Sequence, residues 1–168
     1  RRVLFRSAEI VWHAITLTNT TKQPWTTAPG QTVKDSRLLG HDTLHYTAVG
    51  VSTDLRITQA LAIEAEQNEF EVERQRNAER FHGRQYDKVT VRGELALTNR
   101  KGQDVTVRIT KQLTGEVVSA DGEPRIHKLA TGLRKVNPSS EVVWTVPVEA
   151  DPDKPVKLSY RYTVFVRN

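Results

Sequence analysis

The chain has 168 residues, 37% of them hydrophobic and 27% charged. That is enough apolar surface to build a packed core and rules out wholesale disorder. It has no cysteine, so disulfides, thiolate nucleophiles and zinc ribbons are excluded, and no run nears the ~20 apolar residues of a membrane-spanning helix. The net charge is +5, which invites a nucleic-acid reading that depends on where the basic residues lie.

Three of them lie at the start. Arg1-Arg2-Val3-Leu4-Phe5-Arg6-Ser7 reads, codon by codon, like the translation of a common sequencing adapter, and residues 1–7 are taken as an assembly scar. The alternative is a basic first strand at Val3-Leu4-Phe5. Without Arg1, Arg2 and Arg6, 22 basic residues face 20 acidic ones, a net charge of +2. The natural sequence is then expected from Ala8. With no methionine in the chain, it reads as a fragment of a longer protein.

Residues 8–63 read as a first β lobe, which a missing upstream strand would leave truncated, with strands expected at Gln31 to Val33, Asp42 to Tyr46 and Leu55 to Ile63. Residues 64–85 form a charged connecting arm. Its Glu, Arg, Gln and Asn content favours helix by propensity. Yet Ile63, Ala65, Phe70 and Val72 form no helical stripe, while Glu69-Phe70-Glu71-Val72-Glu73 alternates like a strand. A long extended arm is the preferred reading, a partly helical one the alternative.

Residues 86–168 read as a second β lobe. Val89, Val91, Leu95 and Leu97 alternate with Thr90, Arg92 and Glu94. Val105, Val107 and Ile109 follow the same period, as do Val142, Trp144, Val146 and Val148, and then Val156, Leu158, Tyr160, Tyr162 and Val164. Period two marks strands with one buried face. Turn chemistry separates them at Asn99 to Gly102, Asp121 to Pro124, Asn137 to Ser140 and Asp151 to Pro155. Pro147, on an outward position, indicates an edge.

The two halves share a motif. Leu17-Thr18-Asn19 and Gln23 align without gaps on Leu97-Thr98-Asn99 and Gln103, 80 residues on. Each is read as a strand ending in an Asn that folds onto the backbone of a turn, followed by a return strand beginning at Trp25 or Val105. The fold class is therefore all-β: two tandem antiparallel β-sandwich-like lobes joined by the arm.

Catalytic signals are thin. His41 and His45 fall on one face of a strand but lack a third metal ligand. Glu64, Glu66, Glu69, Glu71 and Glu73 sit beside Arg74, Arg76 and Arg80, as a salt-bridged face does, rather than as an isolated carboxylate pair. No Ser occupies a nucleophile elbow, and no Gly-rich phosphate loop occurs. Arg74, Arg76, Arg80 and Arg84 are interrupted by Glu73 and Glu79, so nucleic acid is not expected as a partner. Among the aromatics, Trp144, Tyr160 and Tyr162 point inward by alternation, whereas Trp25 and Phe165 are candidates for contact. No catalytic, metal or cofactor-binding residue is assigned.

These residues together resemble the C-terminal half of the mucoidy-inhibitor-like proteins, a bacterial family. The resemblance runs from Ile15 to Arg167. It rests on Asn19-Thr20-Thr21-Lys22-Gln23-Pro24-Trp25, on the Glu and Arg repeats between Gln59 and Arg80, on Val89-Thr90-Val91 leading to Leu97-Thr98-Asn99, on Leu133-Arg134-Lys135-Val136-Asn137-Pro138 and on Tyr160-Arg161-Tyr162-Thr163-Val164. It implies a β-rich domain of unknown function that follows a coiled-coil region, and it carries over no catalytic residue. The expectation is a non-catalytic binding or scaffolding module of the bacterial cell envelope, contacting a protein or glycan. The alternative is an accessory β domain of a larger enzyme whose chemistry lies upstream. A cysteine-free chain suits an oxidising envelope space or periplasm, and is also compatible with cytosol. An oligomer would form through the missing upstream part.

Overall fold

The computed structural model describes residues 2–6, 10–129 and 135–168, with side chains described from residue 10 onward. Arg1, Ser7, Ala8, Leu133 and Arg134, all named above, lie outside the described residues.

The described residues form twelve strands and no helix. They are β1 (Arg2–Arg6), β2 (Ile10–Thr18), β3 (Ala28–Lys34), β4 (Arg37–Leu44), β5 (Ser52–Gln59), β6 (Ile63–Phe81), β7 (Arg84–Asn99), β8 (Val105–Thr114), β9 (Glu116–Ala120), β10 (Arg125–Leu129), β11 (Ser139–Val148) and β12 (Val156–Arg167). A six-stranded sheet runs β10-β11-β8-β1-β2-β5, a four-stranded sheet β6-β7-β12-β9, and β3-β4 form a separate hairpin. Pairing is antiparallel except between β1 and β8. Through β1, strands from both halves of the chain share one sheet.

The alternation sorts side chains as the sequence implies. In β11, Ser140, Val142, Trp144, Val146 and Val148 are buried, and in β8, Val107, Ile109, Lys111 and Leu113. With Leu95, Leu97, Leu158 and Tyr160 of the four-stranded sheet, the apolar members make one cluster. Each large aliphatic side chain there stabilises the fold by roughly 1.5–3 kcal/mol. Pro147 pairs with Thr106 beyond the stretch of β11 that β10 covers. The imino nitrogen therefore meets an open side, where no ladder bond is lost.

The arm is extended, as the preferred reading has it, and the partly helical alternative falls. Residues 63–81 form one strand, not a partial helix, paired along β7 from Ile63↔Asn99 to Phe81↔Arg84. Helix propensity is weak beside a full ladder plus burial of Ile63 and Ala65 at period two. Bulges between Glu71 and Glu73 and between Gln75 and Glu79 absorb extra residues. Asn77, with φ 52°, sits in the second, its N–H donating to Asp87 Oδ1 at 3.0 Å. A His82-Gly83 turn with φ of 47° and 79° closes the hairpin, a geometry that glycine adopts without steric cost.

First-half strands are shifted relative to expectation. The third ends at Gln59 rather than Ile63, because Ala60 donates to Val11 O at 2.8 Å and Ile63 turns back to Ala60 O at 2.9 Å. Arg2–Arg6, which include the Val3-Leu4-Phe5 of the basic-strand alternative, form β1.

The two halves repeat one wiring. β2 pairs with β5 and β3 with β4; β7 pairs with β12 and β8 with β11. Asn19 and Asn99 close the equivalent turns and are both fully buried. Asn19 Nδ2 donates to Gln23 O and Thr47 O, both at 2.9 Å, and Asn99 Nδ2 to Gln103 O at 3.0 Å and Val148 O at 3.2 Å. Their Oδ1 atoms accept from Thr21 N at 3.0 Å and Lys101 N at 2.9 Å. Trp25 bridges Thr47 as Val105 pairs with Val148.

Candidate functional site

The densest group of functional side chains lies where the apolar cluster ends. Continuing the inward series of β8 past Val107 and Ile109 places Lys111 on the buried face, and the inward series of β6, Ile63, Ala65, Gln67, places Glu69 opposite. Lys111 Nζ is 3.2 Å from Glu69 Oε1. The same oxygen accepts the Tyr160 hydroxyl at 2.6 Å, and Oε2 accepts that of Tyr162 at 3.4 Å. Tyr160 and Tyr162, successive inward residues of β12, stack at 6.3 Å between centroids. Trp144 packs on Tyr160 at 5.9 Å and donates Nε1–H to Asp121 O at 2.7 Å.

Gly93 makes this possible. It pairs with both Glu69 and Tyr160 across β7, and a β-carbon there would overlap the Tyr160 ring. Burial, followed by the Glu69 carboxylate, pushes the Tyr160 phenol far above its ordinary value and that of Tyr162 up to about 12. Both phenols thus remain donors, and a carboxylate that accepts two hydroxyls and faces an ammonium is occupied as a cross-sheet clasp.

The other acidic candidates separate. Glu64 pairs with Arg100 at 2.7 and 3.0 Å, and Glu71 with Arg74 at 2.8 and 2.7 Å. The guanidinium groups lower both carboxyl pKa values. Arg74 also reaches the buried Asp87 at 3.0 Å. Glu66 and Glu73 are exposed. Arg76, Arg80 and Arg84 are exposed along the hairpin. His41 and His45 are exposed, and no group of three metal-binding side chains occurs among the described residues. Trp25 is half-buried. Phe165, also half-buried, contacts Phe81 edge-on at 5.5 Å. Its backbone is held by Asn137, whose Nδ2 donates at 2.8 Å and whose Oδ1 accepts at 2.7 Å.

Sequence reasoning missed Lys111, although a lysine standing between Ile109 and Leu113 in an inward series was a readable signal. It also missed Arg56, which stacks 5.1 Å from the Trp12 ring centroid and grips Asp42 through two 2.9 Å contacts. The Trp12 contact joins strands distant in sequence, and neither contact has a local signature. No described helix is long and apolar enough to cross a membrane.

Two open grooves border the four-stranded sheet. One of about 530 Å³ crosses the outer face of the four-stranded sheet, lined by Glu66, Asn68, Arg92, Glu94, Lys157 and Ser159 among others. Asp121 closes its end, accepting from Ser159 Oγ at 2.5 Å. The second, of about 380 Å³, lies between β2 and the start of β6. No family model, curated protein or solved structure matches the chain.

Proposed function

We propose that this chain is a non-catalytic binding or scaffolding module of the bacterial cell envelope, built as two tandem sandwich-like lobes. The repeated wiring and the paired Asn19 and Asn99 turns support the two-lobe reading. The envelope placement rests on the sequence resemblance alone.

The observation that carries the binding reading is the outer-face groove. Its walls are outward side chains of three adjacent strands, β6, β7 and β12, a broad polar surface suited to a protein or glycan, whereas small-molecule sites are typically concave and mostly apolar. The aromatic and carboxylate groups that would serve chemistry are committed to the internal clasp.

The test is a glycan array combined with capture from envelope extracts, using the full-length protein and a Glu94→Lys, Lys157→Glu double variant. Binding that the variant abolishes supports the reading. Reproducible failure of the full-length protein in both assays overturns it.

A further inference from the structure

The four-stranded sheet ends at β6, whose far side pairs with no strand among the described residues. An exposed edge is ordinarily protected by bulges, short length or charge. Here the bulges begin only after Glu71, so residues 63–71 present a regular row of backbone donors and acceptors that no described strand meets, apart from the Ile63 N–H, which Ala60 O accepts.

The groove between β2 and β6 lies along the first residues of this stretch, Ile63 to Glu66. Its inner wall is apolar, with Val11, Ala60, Ile63 and Ala65, and its rim carries Leu61, which is 85% exposed, and Ile10. The outward side chains over the same residues are Glu64 and Glu66. Glu64 has Arg100; Glu66 is exposed and has no ion pair among the described residues.

We infer that the β6 edge over residues 63–70 binds an extended peptide strand of a partner protein with apolar residues at every second position and lysine or arginine between them. A strand added to β6 alternates as β6 does. Its inward residues enter the groove beside Ala65 and Leu61, and its outward residues meet Glu64 and Glu66. At about 380 Å³ the groove is near the lower end of ligand-pocket sizes, ~300–1,000 Å³, which fits a few side chains rather than a folded domain. The acidic rim also disfavours pairing between two copies of the same edge, which would bring like charges together.

This narrows the binding-module reading to one edge and one partner chemistry, and it rests on that reading. The test is titration of the intact chain with a short synthetic peptide alternating valine and lysine, and with its valine–glutamate counterpart, followed by backbone NMR and hydrogen exchange. Saturable binding of the lysine peptide with slowed exchange over residues 63–70, and none for the glutamate peptide, supports the inference. Glu66→Lys should weaken it about fivefold or more, and the solvent-facing Leu61→Asp should weaken it without disturbing the fold. No binding, equal binding of both peptides, or protection elsewhere overturns it. A glycan array on the same preparation separates the two levels: glycan binding with no peptide binding removes the edge inference and leaves the module reading standing.

Discussion

Asn19 and Asn99 lie 80 residues apart and share three equivalent bonds, to which the Thr21 hydroxyl adds a fourth at Asn19. Each donates from one amide to the carbonyl at the end of its own turn and to a carbonyl farther along the chain, Thr47 O in an isolated bridge and Val148 O at the end of β11, and each accepts a turn N–H. Both are fully buried, and the bonds to Thr47 O and Val148 O are closed to bulk water. An amide is required because the side chain must donate twice and accept once.

Replacing either Asn with Ala leaves two carbonyls and one N–H without the side chain. Thr47 O keeps the Trp25 N–H and Gln23 O the Thr21 hydroxyl, so at ~1–3 kcal/mol for a buried group left unsatisfied each substitution should cost about 2 kcal/mol, read by urea unfolding. Asn→Asp should be as damaging at neutral pH, because a carboxylate cannot donate to two carbonyls. It should recover partly in acid, where the protonated form regains one donor.

Gly93→Ala drives a β-carbon into the Tyr160 ring, which Trp144 and Tyr162 hold in place. Overpacking of this kind costs ~1–3 kcal/mol. In the double variant with Tyr160→Leu the two losses should be less than additive, by a double-mutant cycle on unfolding free energies. Simple additivity would refute the clash.

In the clasp, Glu69→Ala should destabilise more than Lys111→Met. The first leaves a buried ammonium and two phenols without their acceptor, up to about 3 kcal/mol. The second leaves a partly exposed carboxylate that keeps both hydroxyls, about 1 kcal/mol or less. Reversal of that order in chemical unfolding would show that Lys111 finds another partner.

Gln67 Oε1 is buried without a donor among the described residues. Gln67→Leu removes the unmet acceptor while keeping the side chain's bulk, and should raise stability by about 1 kcal/mol, measured as an upward shift in Tm.

Asp42 and Asp87 give the acid limb of stability. The side-chain bonds of Arg56 hold the Asp42 carboxyl well below its ordinary value, and the Asn77 backbone N–H, with Arg74, does the same for Asp87. A depressed folded-state pKa contributes stability that is complete above the unfolded carboxyl value near ~3.9 and is lost as pH falls through the folded value. Asp42→Asn should therefore flatten the decline of Tm below about pH 4 and leave the slope above it unchanged.

The all-β class was legible because Val89 to Leu97 and Val142 to Val148 alternate with little interruption, and the turns between them carry Asn, Asp, Gly and Pro. The arm was harder. Composition favours helix in residues 64–81 and the alternation of Glu69 to Glu73 favours strand; the pairing with β7, a contact with no local signature in β6, carries the strand over its whole length. The candidate site was legible in its parts: Glu69, Tyr160, Tyr162 and Trp144 each stand out, the last three as inward residues. What joins them is Lys111 and the space left by Gly93, and the joining depends on register between strands far apart in sequence.

Among the described residues, two ion pairs link the six-stranded and four-stranded sheets, one between the edge strands β10 and β9 and one between β8 and β6. Lys128 of β10 meets Glu116 of β9 at 2.7 Å with both side chains largely in water, whereas Lys111 and Glu69 are mostly withdrawn from it. Salt screens the first far more than the second. Raising ionic strength should therefore loosen the molecule from one margin only, with amide exchange quickening along β9 and β10 while the tyrosine side stays shut, as a book opens away from its spine.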